Sequence, residues 1–415
     1  RYPAVYRRKR PRPFPYKSRA VRPGCRDKSV TFQASSRSRR KGGFVRVLMT
    51  GGGTAGHINP ALAIAAKIKA EQPDADILFV GAAGRMETTL VPAAGYPIQT
   101  VDVRGFQRRL SVKNIGRNLS AAVHAVTAGT ASAKILRDFR PDIAIGTGGY
   151  VCGPILRKAA KMGIPVVVHE SNAFPGVTVK MLAKYATVLI ADEAARKYLP
   201  PDAKVVVTGN PLRADFFSVD KAQARRELGL DDRPLILSFG GSLGAERINS
   251  TMVDVLRRSH EKGLYQHIHG TGKSGWESVC AKLREAGVPL KGDGIWVREY
   301  IDDMPRCMAA ADLVISRCGA MTLSELPAAG KASILIPSPN VAENHQYHNA
   351  MALVNRGAAV CIEEKDLTPD ALWDSMEAVA GHPDVLRSMA EHARRAAILD
   401  ASDRIYAVIQ DVLSR

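Results

Sequence analysis

The run Phe44-Val45-Arg46-Val47-Leu48-Met49-Thr50, followed at once by Gly51-Gly52-Gly53-Thr54-Ala55-Gly56-His57, constrains this chain more than any other stretch. Apolar residues interrupted only by Arg46 read as a buried strand. Pro60 predicts the start of an apolar-periodic helix over 60–71. A glycine turn between a strand and a helix N-terminus aims backbone N–H groups and the positive helix end at one point, which suits a phosphate. The same construction recurs at PLILSFGGSLGAERIN, residues 234–249. Two such turns in two halves of one chain imply a ligand held between two nucleotide-type domains.

Strand-like and helix-like runs alternate throughout. The first half offers VRVLMT, ADILFVG, IQTVDV, DIAIGTG, IPVVVHE, ATVLIAD and AKVVVTGN as strands; the second offers PLILSFGG, YQHIHGTG, GIWVREY, DLVISRCG, SILIPS and AAVCIEE. Helical patterns include 60–71, 118–138 and the closing 366–380, 384–396 and 402–414. Such alternation predicts an α/β chain of two parallel sheets covered by helices, with ligands at the carboxyl ends of the strands.

The net charge of +19 misleads, because residues 1–43 hold 15 Lys+Arg against the single acid Asp27, and the remainder carries only +5. This Arg-, Pro- and Ser-rich segment has no periodic apolar face and reads as a disordered basic extension outside the fold. Its composition also suits a nucleic-acid arm or a targeting peptide, but translated upstream sequence or an artefact explains it as well, and no nucleic-acid partner is expected. The six cysteines show no CxxC spacing and read as packed free thiols of a reducing, cytoplasmic compartment. No apolar run reaches the ~18 residues of a membrane span, which leaves attachment to a membrane surface open.

Gly51-x-Gly53-x-x-Gly56 matches the dinucleotide fingerprint by letter, yet the next strand ends Phe79-Val80-Gly81-Ala82-Ala83 without the ribose-binding acid. His57 ends the turn at a helix start, where a cation is disfavoured, so its imidazole is expected neutral and able to accept a proton, the lesser alternative being a helix cap with no chemistry. Gly270-Thr271-Gly272-Lys273-Ser274 lacks the first glycine of a P-loop and reads as an ordinary turn. Asp302-Asp303 are adjacent rather than alternating, so they read as a turn and cap before Met304 and not as a metal site; no metal and no cofactor is expected. Glu325 lies at another strand-to-helix junction, where it either caps the helix or accepts both hydroxyls of a ribose. The polar run 343–350 (ENHQYHNA) fits hydrogen bonding to a sugar better than packing. The segment 104–117 interleaves cations with apolar residues, reading either as a solvated loop or as a surface for anionic lipid headgroups.

GGGTAGHINPALA, GTGGYVCGP, HESNAFPG, GNPLR, GGSLGAERIN, YIDDMP, SRCGAMTLSE and ENHQYHNA occur in one order, from about Val45 to the C-terminus. Together they closely resemble the MurG family of glycosyltransferase family 28. Its members transfer N-acetylglucosamine from UDP-GlcNAc to the 4-hydroxyl of the N-acetylmuramyl sugar of lipid I, forming lipid II in peptidoglycan biosynthesis. The resemblance implies a GT-B fold of two Rossmann-like domains facing each other across a cleft. These would be an N-terminal acceptor and membrane-side domain over 44–212, a linker over 213–220, and a C-terminal donor domain over 221–415 whose last helix packs back on the first. It implies that Arg213, Ser242, Ile301, Ala320, Met321, Thr322, Leu323, Ser324, Glu325 and Gln346 contact the donor, Glu325 at the ribose and the backbone near Ile301 at the uracil. Thr54, Ala55, Gly56 and Asn172 would meet the donor sugar, and Gly148, Gly149, Tyr150 and His169 would shape the acceptor site. His57 would be the general base of an inverting displacement, with Glu325 as the second catalytic-site residue. The implied location is the cytoplasmic face of the plasma membrane, held peripherally on anionic lipid, with other cell-wall synthesis proteins as further partners. The chain departs from the family at Ala55, where Gly is frequent, and at Leu243, where some members carry Gln.

Overall fold

The computed structural model describes residues 44–102, 129–213 and 215–415. The basic stretch 1–43, the 104–117 surface and the first part of the helix expected over 118–138 lie outside them.

The first half holds seven strands: β1 (Arg46–Thr50), β2 (Asp76–Ala82), β3 (Ile98–Val101), β4 (Ile143–Gly146), β5 (Val166–Glu170), β6 (Thr187–Ile190) and β7 (Lys204–Val207). They form one parallel sheet in the order β3-β2-β1-β4-β5-β6-β7. Its helices are α1 (Ala55–Glu71), α2 (Glu87–Ala93), α3 (helical over the described residues 129–139), α4 (Cys152–Lys161) and α5 (Val177–Leu182). Residues Gly209 to Arg213 cross without regular structure to α6 (Asp215–Ser218) and α7 (Lys221–Leu228).

The second sheet contains β8 (Leu235–Phe239), β9 (Gln266–Gly270), β10 (Lys291–Gly292), β11 (Ile295–Arg298), β12 (Leu313–Ser316), β13 (Ala332–Leu335) and β14 (Ala359–Cys361). Their order is β10-β11-β9-β8-β12-β13-β14, parallel except for the β10–β11 pair. The helices are α8 (Glu246–Lys262), α9 (Trp276–Glu285), α10 (Met304–Ala310), α11 (Thr322–Ala328), α12 (His345–Val354), α13 (Pro369–Ala380), α14 (Pro383–Ala396) and α15 (Ala401–Ser414). All thirteen expected strands are present. Only β10 was not legible, because two residues carry no periodicity.

Strands buried on both faces explain why their sequences run apolar without alternation. In β1, Leu48 faces a core shared with Ile155 and Leu156 of α4, whereas Val47 and Met49 face Ile58 and Ile64 of α1. That second core also takes Ile405, Ile409 and Val412, so α15 returns to pack on α1. Gly209 abuts Ile398, so the two crossings between the sheets run side by side.

One expectation fails: α1 begins at Ala55, not at Pro60, which sits inside the helix. The amides of His57 and Ile58 already bond to the Thr54 carbonyl. A proline loses its own N–H bond and crowds the carbonyl four residues back, here that of Gly56, but leaves the bonds of His57 and Ile58 to Thr54 intact, so the helix extends through the turn before it. His57 is therefore part of the first helical turn.

Both sheets place glycine turns at a switch in strand order. Neighbours β1 and β4 send α1 and α4 to opposite faces, and neighbours β8 and β12 do the same with α8 and α11. Diverging helices leave a crevice at the carboxyl ends of such a strand pair.

Candidate active site

At the first switch the turns after β1 and β4 interlock. The Gly52 N–H bonds to the Gly148 carbonyl at 3.3 Å, and the Thr147 hydroxyl donates to the His57 carbonyl at 2.6 Å. The half-buried imidazole of His57 lies directly against Gly148, whose φ of +109° and lack of Cβ admit the ring. Its Nδ1 is 3.1 Å from the Thr147 carbonyl oxygen, which can only accept. Nδ1 therefore carries the proton in the neutral ring, and the lone pair is on Nε2. Burial holds the His57 pKa below 6.5, against the raising effect of the Thr147 carbonyl; His345 adds repulsion and Glu87 a smaller attraction. Tyr150, by contrast, is 68% exposed at the rim.

Sequence reasoning missed Glu87. Its carboxylate is fully buried beneath the first glycine turn, accepting from the Gly53 and Ala82 N–H groups at 3.0 Å each. A Cβ on Gly52 would collide with it. The expectation that this turn cradles a phosphate is thus corrected in part, because the Gly53 N–H already has an internal anion. Thr54 makes no side-chain cap, so the first-turn N–H groups of Ala55 and Gly56 lack one of their usual partners. The visible signal was three successive glycines, more than a turn needs.

Between the two sheets lies a cavity of about 580 Å³, of the size that holds small ligands. Asn59, Leu62 and Ala63 of α1 line one side; Arg213, Ser242, Ile301, Met321, Thr322 and Glu325 line the other. The ten donor positions expected from the resemblance thus separate: these six face the cavity and Ala320, Leu323, Ser324 and Gln346 do not line it, Ser324 accepting through its hydroxyl oxygen from Asn210 Nδ2 at 2.9 Å. The Ala320 carbonyl also accepts from Asn210, and Leu323 packs into the core of the second sheet. Burial raises the Glu325 pKa to about 7, with Arg213 opposing and Asp215 reinforcing the rise. Arg213 pairs with Asp215. The Gly270–Ser274 turn is a packing element, since Gly272 and Gly244 touch backbone to backbone. Asp303 precedes α10 but makes no side-chain cap; Arg298 and Arg306 hold its carboxylate, each at 2.7 Å.

His57, Asn172 and Gln346 do not line that cavity. His169 is fully buried, its ring bonded to the Gly209 carbonyl at 3.0 Å, and burial lowers its pKa to about 4. Glu170 accepts from Asn172 N, Asn172 Nδ2 and Gly176 N, at 2.8–2.9 Å, and so shapes the loop that follows β5. The polar run of α12 meets protein groups rather than open space. Gln346 Oε1 accepts from the Cys318 and Ser338 N–H groups, Asn349 bonds to Asn172, Ala173 and Cys318, and His348 stacks on Phe174 at 4.8 Å. The two halves are further joined by the ion pairs Arg356–Asp192 and Lys180–Glu343.

Comparison with known proteins agrees with this geometry. Residues 47–190 match the glycosyltransferase family 28 N-terminal domain, and 235–405 the family 28 C-terminal domain. The UDP-N-acetylglucosamine--N-acetylmuramyl-(pentapeptide) pyrophosphoryl-undecaprenol N-acetylglucosamine transferase of Acetivibrio thermocellus is 46% identical over 372 residues, covering 89% of this chain and 98% of that one. The enzyme of the same description from Bacillus cytotoxicus is 39% identical over 373 residues, covering 89% and 100%. The crystal structure of Acinetobacter baumannii MurG superposes with a TM-score of 0.73 at 29% identity, covering 88% and 99%. A UDP complex of S. aureus MnaA shares the fold at a TM-score of 0.62 and 14% identity, covering 89% and 97%. Two parallel sheets meeting across a cavity, with glycine turns at both switch points, are the GT-B architecture, and the chain belongs to the MurG family of glycosyltransferase family 28.

Proposed function

We propose that this chain transfers N-acetylglucosamine from UDP-N-acetylglucosamine to the 4-hydroxyl of the N-acetylmuramyl sugar of lipid I, giving lipid II and UDP. The observation that carries the reading is the 580 Å³ cavity with α1 on one wall and Arg213, Ser242, Ile301 and Glu325 on the other. UDP occupies the second-sheet side. Glu325 accepts the two ribose hydroxyls, Arg213 and Ser242 serve the diphosphate, and the backbone at Ile301 reads the uracil. The division into 44–212, 213–220 and 221–415 follows from the same reading.

The acceptor 4-hydroxyl attacks the anomeric carbon from the side opposite UDP. Its proton passes to Nε2 of His57, the carbon–oxygen bond to the diphosphate breaks with its electron pair going to UDP, and configuration inverts. A near-neutral base suits this weak nucleophile, and a ring whose Nδ1 is tied to Thr147 offers its lone pair at a fixed position. Backbone N–H groups of the Ser242 turn and of Ala55 and Gly56 stabilise charge that grows on the diphosphate and sugar, at roughly 3 kcal/mol for each well-placed donor. Asn172 holds the sugar from the first-sheet side, and Gly148, Gly149 and Tyr150 receive the acceptor.

Among the described residues no helix is long and apolar enough to cross a membrane. The enzyme works peripherally, on the cytoplasmic face of the plasma membrane. Exposed Val177, Met181 and Tyr185 share a surface on which Lys184, Arg157 and Lys161 act on Tyr185, an apolar and cationic patch suited to anionic headgroups. Turnover of labelled UDP-N-acetylglucosamine with a lipid I analogue tests the reading. Labelled disaccharide product is expected; activity only with diacylglycerol, or with no acceptor tried, would overturn it.

A further inference from the structure

Asn349 is 4% exposed, on the second turn of α12, and it joins the two halves of the molecule. Its Oδ1 accepts the Ala173 N–H at 2.8 Å, and its Nδ2 donates to the Asn172 Oδ1 at 3.1 Å and to the Cys318 carbonyl at 3.2 Å. Ala173 N–H can only donate and Cys318 C=O can only accept, so the orientation of this amide is fixed by backbone groups. The Asn172 amide is fixed in turn. Its Nδ2 donates to Glu170 Oε1 at 2.9 Å, which also accepts the Asn172 backbone N–H, and its Oδ1 receives Asn349. One hydrogen on Asn172 Nδ2 remains for a ligand. Gln346, one turn earlier on α12, accepts the Cys318 N–H, so Cys318, two residues beyond β12, is held at both its backbone groups.

We infer that Asn349 is a positioning residue for the donor sugar, holding the Asn172 amide so that its remaining N–H meets a sugar oxygen only when the two lobes are joined. The inference rests on the assignment of Asn172 to the sugar. It separates recognition of the sugar from that of the nucleotide. The cavity wall around Glu325 binds UDP without Asn349, whereas the sugar needs the bridge between the lobes. Asn349→Asp tests this directly. The variant keeps an acceptor for Ala173 N–H but sets a carboxylate against Asn172 Oδ1. Rotating the Asn172 amide would then set its oxygen against Glu170.

Calorimetric titration of the full chain with UDP and with UDP-N-acetylglucosamine reads the outcome. Asn349→Asp is expected to weaken UDP-N-acetylglucosamine about tenfold or more while UDP stays within about twofold. Asn172→Ala should do the same, and the double variant should lose little beyond either, as coupled neighbours do. Equal weakening of both ligands, or of neither, by Asn349→Asp overturns the inference. Should Asn172→Ala be effective while Asn349→Asp is silent, only the bridging role fails; should Asn172→Ala leave sugar binding intact, the Asn172 assignment fails and this role with it. Asn349→Ala, which introduces no charge, carries the same comparison if Asn349→Asp does not fold.

Discussion

His57 and Thr147 hold each other by two hydrogen bonds of opposite sense: the imidazole Nδ1 donates to the Thr147 carbonyl at 3.1 Å, and the Thr147 hydroxyl donates to the His57 carbonyl at 2.6 Å. Ninety residues separate them in sequence, and the pairing of β1 with β4 brings them together. The tie fixes both the tautomer and the direction of the ring. His57→Ala should lower kcat about 10²- to 10⁴-fold, the usual contribution of a positioned base, with UDP affinity unchanged. Near-normal turnover would remove His57 from the mechanism. Because burial holds its pKa below 6.5, kcat/KM should stay level down to that pH and decline only below it, where the ring charges.

Gly148→Ala probes the same geometry from the other side. The added methyl would strike the imidazole, and the φ of +109° suits no L side chain. We expect a loss of kcat on the order of 10²-fold, the scale of an ångström-sized misplacement, with little change in donor affinity. A fully active variant would mean that the ring need not occupy this position.

Glu325 gives a pH signature. Its folded-state pKa is raised from 4.5 to about 7 by burial, so the folded chain binds more protons than the unfolded chain between those values. This contribution to stability is complete below pH 4.5 and is lost as pH rises through about 7. Urea melts of the ligand-free protein should show that slope, and Glu325→Gln should flatten it. Ribose hydroxyls favour the ionised carboxylate, so UDP binding near pH 6 should release a proton, visible as a buffer-dependent heat. A heat independent of buffer would count against the ribose role.

Glu87→Ala removes the carboxylate that accepts the N–H groups of exposed Gly53 and half-buried Ala82. Water reaches part of this pair, so chemical denaturation should register a loss no larger than about 1–3 kcal/mol, the cost of one buried unsatisfied donor. Glu87→Gln, which retains one acceptor oxygen, should lose less. Equal stability in all three forms would show that water replaces the carboxylate freely.

Much of this was legible from residue order. Apolar runs such as Val47-Leu48-Met49, short and closed by glycine clusters, read as strands buried on both sides, and the glycine clusters as close turns. What was misread was local in a different sense. Pro60 looked like a helix start because a proline inside a helix is unusual, yet the chain before it was already helical. Asp303 looked like a cap, but Arg298 and Arg306 reach it first. The run 343–350 read as a sugar-binding face, and the structure adds that Gln346 and Asn349 also hold Cys318 and the opposite lobe.

Residue order alone determined two parallel sheets, their strand count to within β10, and the motif set that marks the family, because strand burial and turn chemistry are short-range properties written in neighbouring residues. Only the tertiary structure decided that Glu87 fills the first glycine turn, that Thr147 sets the His57 tautomer, and that Asn349 reaches across to Asn172. Each of these joins residues 34 to 177 positions apart. Such a bond depends on strand order and on how the lobes meet, and no local pattern of side chains encodes either.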